Sequence, residues 1–326
     1  MTAPSLIAFA LVFLASSLFV SLLLGFGLRF ARGRLRSLGA RAERRAAALM
    51  LVASPALASL LVGLLAVDSA RSLLAGTDHC ANHSHHLHIC LAHGAEWATR
   101  PWAVELLAVV GVFVVVRLFQ IGWAHSVAQR AAWRFRRLGE PLAGYGRAVI
   151  VPLDEPMVFT AGALSPTVVV SRGAWARLGD KERRAVLEHE LAHVDGGDLW
   201  RRAVLALLSC LAAPGFASYA LRLWDRSAER ICDRRAADVV GRPSIVAGAL
   251  VSLARGMGRR LAPAGAVFAA ACHVTDRVHS LLDGEPDGAP GAARLSWGFL
   301  AAGTGIALAA AALAEQLHHF LETILG

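Results

Sequence analysis

Glu188-His-Glu-Leu-Ala-His-Val-Asp-Gly-Gly-Asp198 sets His189 and His193 four positions apart, with Glu190 between them. On an α-helix, positions i and i+4 lie one turn apart on the same face. Two imidazoles can therefore meet one zinc ion, with Glu190 beside them as general base on a zinc-bound water. The five-residue pattern also arises by chance, so its surroundings decide. Gly179-Asp180 makes a helix start, with Asp180 as the expected N-cap and Glu182 in the first turn. Residues 181–195 hold no Gly or Pro, and Gly196-Gly197 ends the run. The spacing predicts a helix carrying both histidines.

Zinc needs a third protein donor. Downstream the chain reads Asp225-Arg-Ser-Ala-Glu229-Arg-Ile-Cys232-Asp233-Arg-Arg-Ala-Ala-Asp238, again with two acids at i and i+4. Taken alone, such a stretch is a solvated, salt-bridged helix face. After the histidine motif it offers Glu229 as metal ligand, and Asp233 as acceptor of the second ring N–H of a ligand histidine. Asp225 and Asp238 are the weaker ligand candidates.

Composition places this motif in an unusual setting. The chain has 326 residues, 56% of them hydrophobic, and a mean hydropathy of +0.51. That is too apolar for an ordinary soluble domain and implies a membrane protein. The net charge is +9, yet Lys181 is the single lysine. The arginines flank apolar segments without interleaved aromatics, which argues against nucleic-acid binding.

Four runs reach the length of about 20 apolar residues that a bilayer requires: 5–28, 47–67, 102–122 and 295–314. The first has no charged n-region and ends in a basic cluster, so it is expected to be a retained helix and not a signal peptide. Arg29, Arg32, Arg34, Arg36, Arg41, Arg44 and Arg45 follow it, opposed by Glu43 alone. Arg130, Arg134, Arg136 and Arg137 follow the third run, whereas 68–101 carries two arginines and three acids. The positive-inside rule places the N-terminus outside, loop 29–46 inside, loop 68–101 outside and the metal motif in the cytoplasm. Trp97, Trp102 and Trp123 sit where interfacial anchors are expected.

Residues 203–222 form a fifth apolar stretch. A single crossing here would put Glu229 on the opposite side from His189. Pro214-Gly215 in its middle suits a bent or re-entrant segment that returns to the cytoplasmic face. Before the motif, 148–151, 157–160 and 167–171 are short β-rich runs separated by Pro and Gly, which predicts a small antiparallel sheet. The strand just ahead of the metal helix could hold a peptide by β-augmentation, or be purely structural. Residues 243–282 read as helical.

Phe159-Thr-Ala-Gly162, Pro166-Thr-Val-Val-Val170, Ala185-Val-Leu-Glu-His189-Glu-Leu-Ala-His193, Asp198 and Glu229-Arg-Ile-Cys232-Asp233 together resemble the BlaR/MecR family of membrane zinc metallopeptidases. Cys232 ahead of Asp233 is the discriminating detail, since the neighbouring HtpX-type peptidases usually carry a small apolar residue there. The resemblance implies His189, His193 and Glu229 as zinc ligands, Glu190 as catalytic base, and Asp233 and Asp198 as supporting acids. It also implies cleavage of a cytoplasmic protein in response to an outside signal. Only residues 315–326 follow the last apolar run, so no penicillin-binding sensor domain is expected.

The outer loop offers another sensor. His79, Cys80, His83, His85, His86, His88, Cys90 and His93 bring six of 13 histidines and two of five cysteines into 79–93. Imidazole and thiolate suit zinc or copper, and Cys80 and Cys90 could instead close a disulfide hairpin. Cys210 reads as a packed residue.

The expected fold is a membrane α-helical bundle of about four transmembrane helices with a cytoplasmic α+β, zincin-like metallopeptidase domain. The domains are 1–123, 124–294 and 295–326. The expected protein is a multi-pass cell-membrane zinc endopeptidase cleaving a cytoplasmic protein, such as a transcriptional repressor. The outer loop is its candidate metal sensor, and a second copy of the chain is a candidate partner. The rival readings are an HtpX-type quality-control peptidase and a non-enzymatic metal sensor or metal-handling protein.

Overall fold

A computed structural model describes residues 3–75, 98, 100–256 and 274–284, with 301 and 305 beyond them. Its apolar runs become long helices: α1 (Ala3–Phe30), then a short α2 (Arg32–Ser37), α3 (Ala40–Ala75) and α4 (Pro101–Leu138). Among the described residues, three segments are long and apolar enough to cross a membrane: Leu6–Phe30, Ala40–Gly63 and Pro101–Leu138. The fourth expected span lies outside the described residues apart from 301 and 305, and so does the loop from His79 to His93.

Helix α4 does not stop where its apolar run does. At about 1.5 Å per residue, its 38 residues measure roughly 57 Å, near twice a hydrocarbon core. Val109, Val112, Val115 and Phe119 are exposed along its apolar part, as expected of a helix facing lipid. Its far end packs Phe135 against a small sheet.

That sheet has four strands, β1 (Glu140–Pro141), β2 (Ala148–Val151), β3 (Val158–Ala161) and β4 (Thr167–Ser171), in the order β1-β2-β4-β3. The antiparallel expectation is corrected: β4 pairs parallel with β2 and antiparallel with β3. The chain from β2 passes over to the far edge as β3 before turning back into the centre as β4. The strand just ahead of the metal-motif helix is therefore enclosed on both sides, and β3 is the edge. Side chains alternate across the sheet. Val149, Val151 and Val169 face Phe135 of α4, while Ala148, Val168 and Val170 face Leu187 and Val194 of the helix that carries the metal motif.

Next come α5 (Arg172–Arg177), α6 (Asp180–Asp195), α7 (Asp198–Leu208), α8 (Pro214–Val240), α9 (Pro243–Gly256) and α10 (Val274–Asp283). The N-cap of α6 is Gly179 and not Asp180; Glu182 reaches back to accept the Gly179 N–H at 3.0 Å. Glu182 thus supplies one half of a capping box, and glycine has no side chain to supply the other.

The apolar stretch 203–222 is divided between α7 and α8, which are joined by a 3-10 turn (Ser209–Leu211) with Pro214 opening the second helix. The two run back to back, with Arg202 Nε 2.7 Å from Asp225 Oδ1. Serines of α1 satisfy the turn: Ser17 Oγ donates to the Leu211 carbonyl, and Ser21 Oγ accepts the Ala213 N–H at 2.9 Å. Both serines are fully buried. Such pairing is what an apolar surrounding demands of a backbone that leaves its helix. Past the turn, Phe216 meets Gly25, where even a Cβ would lie 3.2 Å from the ring. Ala217, Ala220, Leu223 and Trp224 continue the contact with Leu28, Met50 and Leu51 of α1 and α3.

Gly162 closes the β3–β4 link at φ +89°, where a Cβ would lie 2.8 Å from the Ser165 carbonyl and 2.9 Å from Ala132 Cβ. Gly162→Ala should cost about 1–3 kcal/mol through backbone strain, before any clash is counted. Thermal unfolding in detergent measures it, and an unchanged midpoint would show that the link relaxes freely.

Candidate metal centre

The histidine motif lies on α6 because that helix is buried on three sides. Leu187 and Val194 meet the sheet, Ala185 meets Ala236, Ala237 and Val246, and Val186 packs with Leu178 and Ala249. The remaining face, with His189 and His193, turns toward α8. Their rings sit edge to face with centroids 4.9 Å apart.

Glu229 comes to them from α8. Its Oε2 lies 3.5 Å from His189 Nε2 and its Oε1 3.4 Å from His193 Nε2. One donor atom from each of the three residues falls within 4.8 Å of the others, a group able to hold a metal ion. A tetrahedral ion with bonds of about 2.0–2.1 Å keeps its donors roughly 3.4 Å apart, so the donor set fits. Glu229 Oε2 is buried, with an ion pair to Arg277 Nη1 at 2.9 Å but no partner in hydrogen-bond geometry.

The outer ring nitrogens meet acids. His193 Nδ1 lies 2.9 Å from Asp198 Oδ2 in a hydrogen bond. His189 Nδ1 lies 3.0 Å from Asp233 Oδ1, though off the line of a good hydrogen bond. Asp198 reaches its place through the Gly196-Gly197 turn. Gly197 takes φ +60°, and a Cβ on Gly196 would lie 2.8 Å from Asp198 Oδ1. Cys232, almost wholly buried, places Sγ 3.4 Å from His193 Nδ1 and 3.9 Å from Asp198 Oδ2.

These contacts decide the charge. Burial works against protonating either histidine, yet both pKa values end raised. For His189 the offset comes from Asp233 and Glu229, and for His193 from Cys232, Asp198 and Glu229. Burial likewise opposes ionising Glu229, Asp233 and Asp198, yet all three stay below the usual carboxylate range. Arg277 holds down the first two, while His193 and Arg44 hold down Asp198. The cavity favours positive charge, the electrostatic condition for a divalent cation.

Glu190 stands on the side facing the sheet, where Thr160 Oγ1 of β3 donates to its Oε2 at 2.6 Å. Asp225 is engaged with Arg202, and Asp238 is exposed; neither joins the group. Sequence reasoning missed Thr160, Arg277 and Arg44. Arg277 of α10 grips Asp233 with Nε at 2.7 Å and Nη2 at 2.5 Å, and sets Nη1 2.9 Å from Glu229 Oε2. Its signal was a charge one turn before Leu281 on the inward face of a short amphipathic helix. His279, the more obvious candidate nearby, is exposed. Arg44 Nη2 pairs with Asp198 Oδ1.

Arg277→Met would leave Asp233 and Glu229 buried without their cation. Breaking a buried pair from one side costs about 3–5 kcal/mol. The metal-free variant should unfold at a markedly lower temperature than the metal-free wild type, and equal midpoints would contradict the charge balance described.

Residues 96–244 match a family model, that of the BlaR1 peptidase M56 family. No curated protein and no solved structure matches the chain. The match takes in α4, the sheet, and every one of His189, Glu190, His193, Asp198, Glu229 and Asp233. The match supports a BlaR/MecR-like family and implies a membrane metallopeptidase.

Proposed function

We propose that this protein is an integral membrane zinc metalloendopeptidase that cleaves a cytoplasmic protein in signal transduction, with a transcriptional repressor as the substrate the resemblance implies. The observation that carries this reading is the convergence of His189 Nε2, His193 Nε2 and Glu229 beside Glu190. Zinc, when bound, supplies a Lewis acid for the scissile carbonyl and for the attacking water. His189, His193 and Glu229 hold it, and the donor set of two imidazoles and a carboxylate suits zinc.

The other residues act around that point. Asp198 takes the Nδ1 proton of His193 as a hydrogen bond, so that Nε2 keeps its lone pair for the ion; Asp233 does the same office for His189 at a looser angle. Glu190 takes a proton from the attacking water and returns it to the leaving amine. The Thr160 hydroxyl orients Glu190. The strand that bears Thr160 is the sheet edge, so its outer main-chain groups can pair with an extended peptide and lay it across Glu190.

The cytoplasmic placement draws support from Arg44. It stands near the N-terminal end of α3, next to the arginine-rich connection between the first two spans, and touches Asp198, so the metal centre lies level with the arginine-rich side. The hairpin α7–α8 enters beside the middle of α1 and returns, which keeps Glu229 on the side of His189. Sensing by the His79–His93 loop, through bound metal or a Cys80–Cys90 disulfide, is part of the same proposal. It fails if replacing all six loop histidines leaves metal-dependent activation unchanged.

Glu190→Gln should abolish cleavage while zinc content stays at the wild-type level. A census of new protein N-termini in host cells compares the two forms. One or two cytoplasmic fragments unique to wild type support the signalling peptidase, and many membrane-protein fragments replace it with a quality-control role. Persistent cleavage by Glu190→Gln removes the mechanism. Thr160→Val should lower kcat about tenfold or more with KM little changed, within the range that general-base placement contributes.

A further inference from the structure

The N-terminal end of α3 is tied to the metal centre at two neighbouring residues. Arg44 Nη2 pairs with Asp198 Oδ1, while the other oxygen of the same carboxylate holds His193 Nδ1. One residue earlier, Glu43 Oε2 pairs with Arg230 Nη2, next in sequence to Glu229. All four side chains lie well inside the protein, Arg44 and Arg230 at 14% exposure and Glu43 and Asp198 at 5%. The Arg44 guanidinium also lies over the Trp224 ring of α8, 4.6 Å from its centroid. A rim arginine held for solubility or topology would need none of this.

We propose that Arg44 is a positioning residue of the metal centre: carried on the second membrane helix, it fixes the Asp198 carboxylate so that Asp198 orients His193. The inference presupposes that His189, His193 and Glu229 hold an ion, as argued above. A buried carboxylate with one oxygen unpaired would turn toward whatever donor it found. With Arg44 on Oδ1, the planar group is pinned and Oδ2 stays under His193 Nδ1. The Arg44 stem is locked in turn by Trp224 and by the packing of α3 on α8. Glu43 and Arg230 fix the same two helices one residue further along. The position of α3 is thereby written into the orientation of one imidazole, and a shift of this helix reaches the ion without passing through a loop.

The test is a double-mutant cycle on the full chain in detergent, reading zinc affinity by competition with a chromogenic chelator. Arg44→Met keeps the apolar stem over Trp224 and removes the charge. Losing a partner of a ligand histidine typically costs 10–100-fold in metal affinity, so Arg44→Met and Asp198→Asn should each weaken zinc binding by about tenfold. Because Arg44 acts through Asp198, the double variant should be no weaker than Asp198→Asn alone. Arg44→Lys should restore affinity to within about threefold of wild type, since it returns the charge without the planar fork. Losses that multiply in the double variant, or an Arg44→Met protein with wild-type affinity, overturn the inference. If Arg44→Met does not fold, Arg44→Gln takes its place in the cycle, and a loss of equal size in both backgrounds again overturns it. A wild-type chain that binds zinc no better than its His193→Ala variant overturns the metal-centre reading itself, and so separates the two failures.

Discussion

Three carboxylates and two imidazoles share one buried space between α6 and α8, and the charge balance there constrains everything around it. Taking a carboxylate out of water costs several kcal/mol unless opposite charge and hydrogen bonds meet it. Glu229 and Asp233 meet Arg277, and Asp198 meets Arg44. Those two arginines arrive from distant parts of the described chain, one from the start of α3 and one from α10. The site is therefore not local to the metallopeptidase segment that carries its motifs. It requires α3 and α10 to be in place before its acids can be buried.

The second constraint is the path of the chain. His189 and Glu229 lie forty residues apart with an apolar segment between them, and only a reversal lets them meet. The reversal exposes peptide groups beside the buried Ala212 and Ala213, where leaving them unpaired is costly. Ser17 and Ser21 of α1 receive them, and alanines along α8 let it lie close against α1 and α3. Small and hydroxylic residues at helix contacts suit an apolar surrounding, where packing and hydrogen bonding must replace the hydrophobic effect. Glu229 reaches His189 because α1 accommodates the turn.

What could be read from the sequence was what is encoded within one or two helical turns. His189 and His193 at i and i+4, the Gly196-Gly197 stop, and Glu229 with Asp233 at i and i+4 all survive as geometry. The first three apolar runs became helices, though the third continued sixteen residues past its expected end because Arg130 to Arg137 are as compatible with helix as the apolar run before them. Strand order was not legible: three β-rich runs with short links read equally well as a meander, and only packing between α4 and α6 puts β4 at the centre. Arg44 was visible merely as one of seven arginines that set orientation. Nothing local distinguishes it from Arg41 or Arg45. Its role depends on which helix face meets Asp198, and that is decided by α8.

Sharing residues between a membrane helix and a metal centre has a physical consequence of its own. In a peptidase domain joined to the bilayer by flexible linkers, the site would keep its geometry whatever the helices did. Here Trp224 packs against both Arg44 and the apolar cluster of α1, α3 and α8, and the same α8 bears Glu229 five residues on. A rotation of α3 that broke Arg44 from Asp198 would also have to slide along Trp224. Packed interiors resist continuous deformation and shift between discrete arrangements. The orientation of His193 is thus tied, through Asp198 and Arg44, to helix contacts that lie away from it.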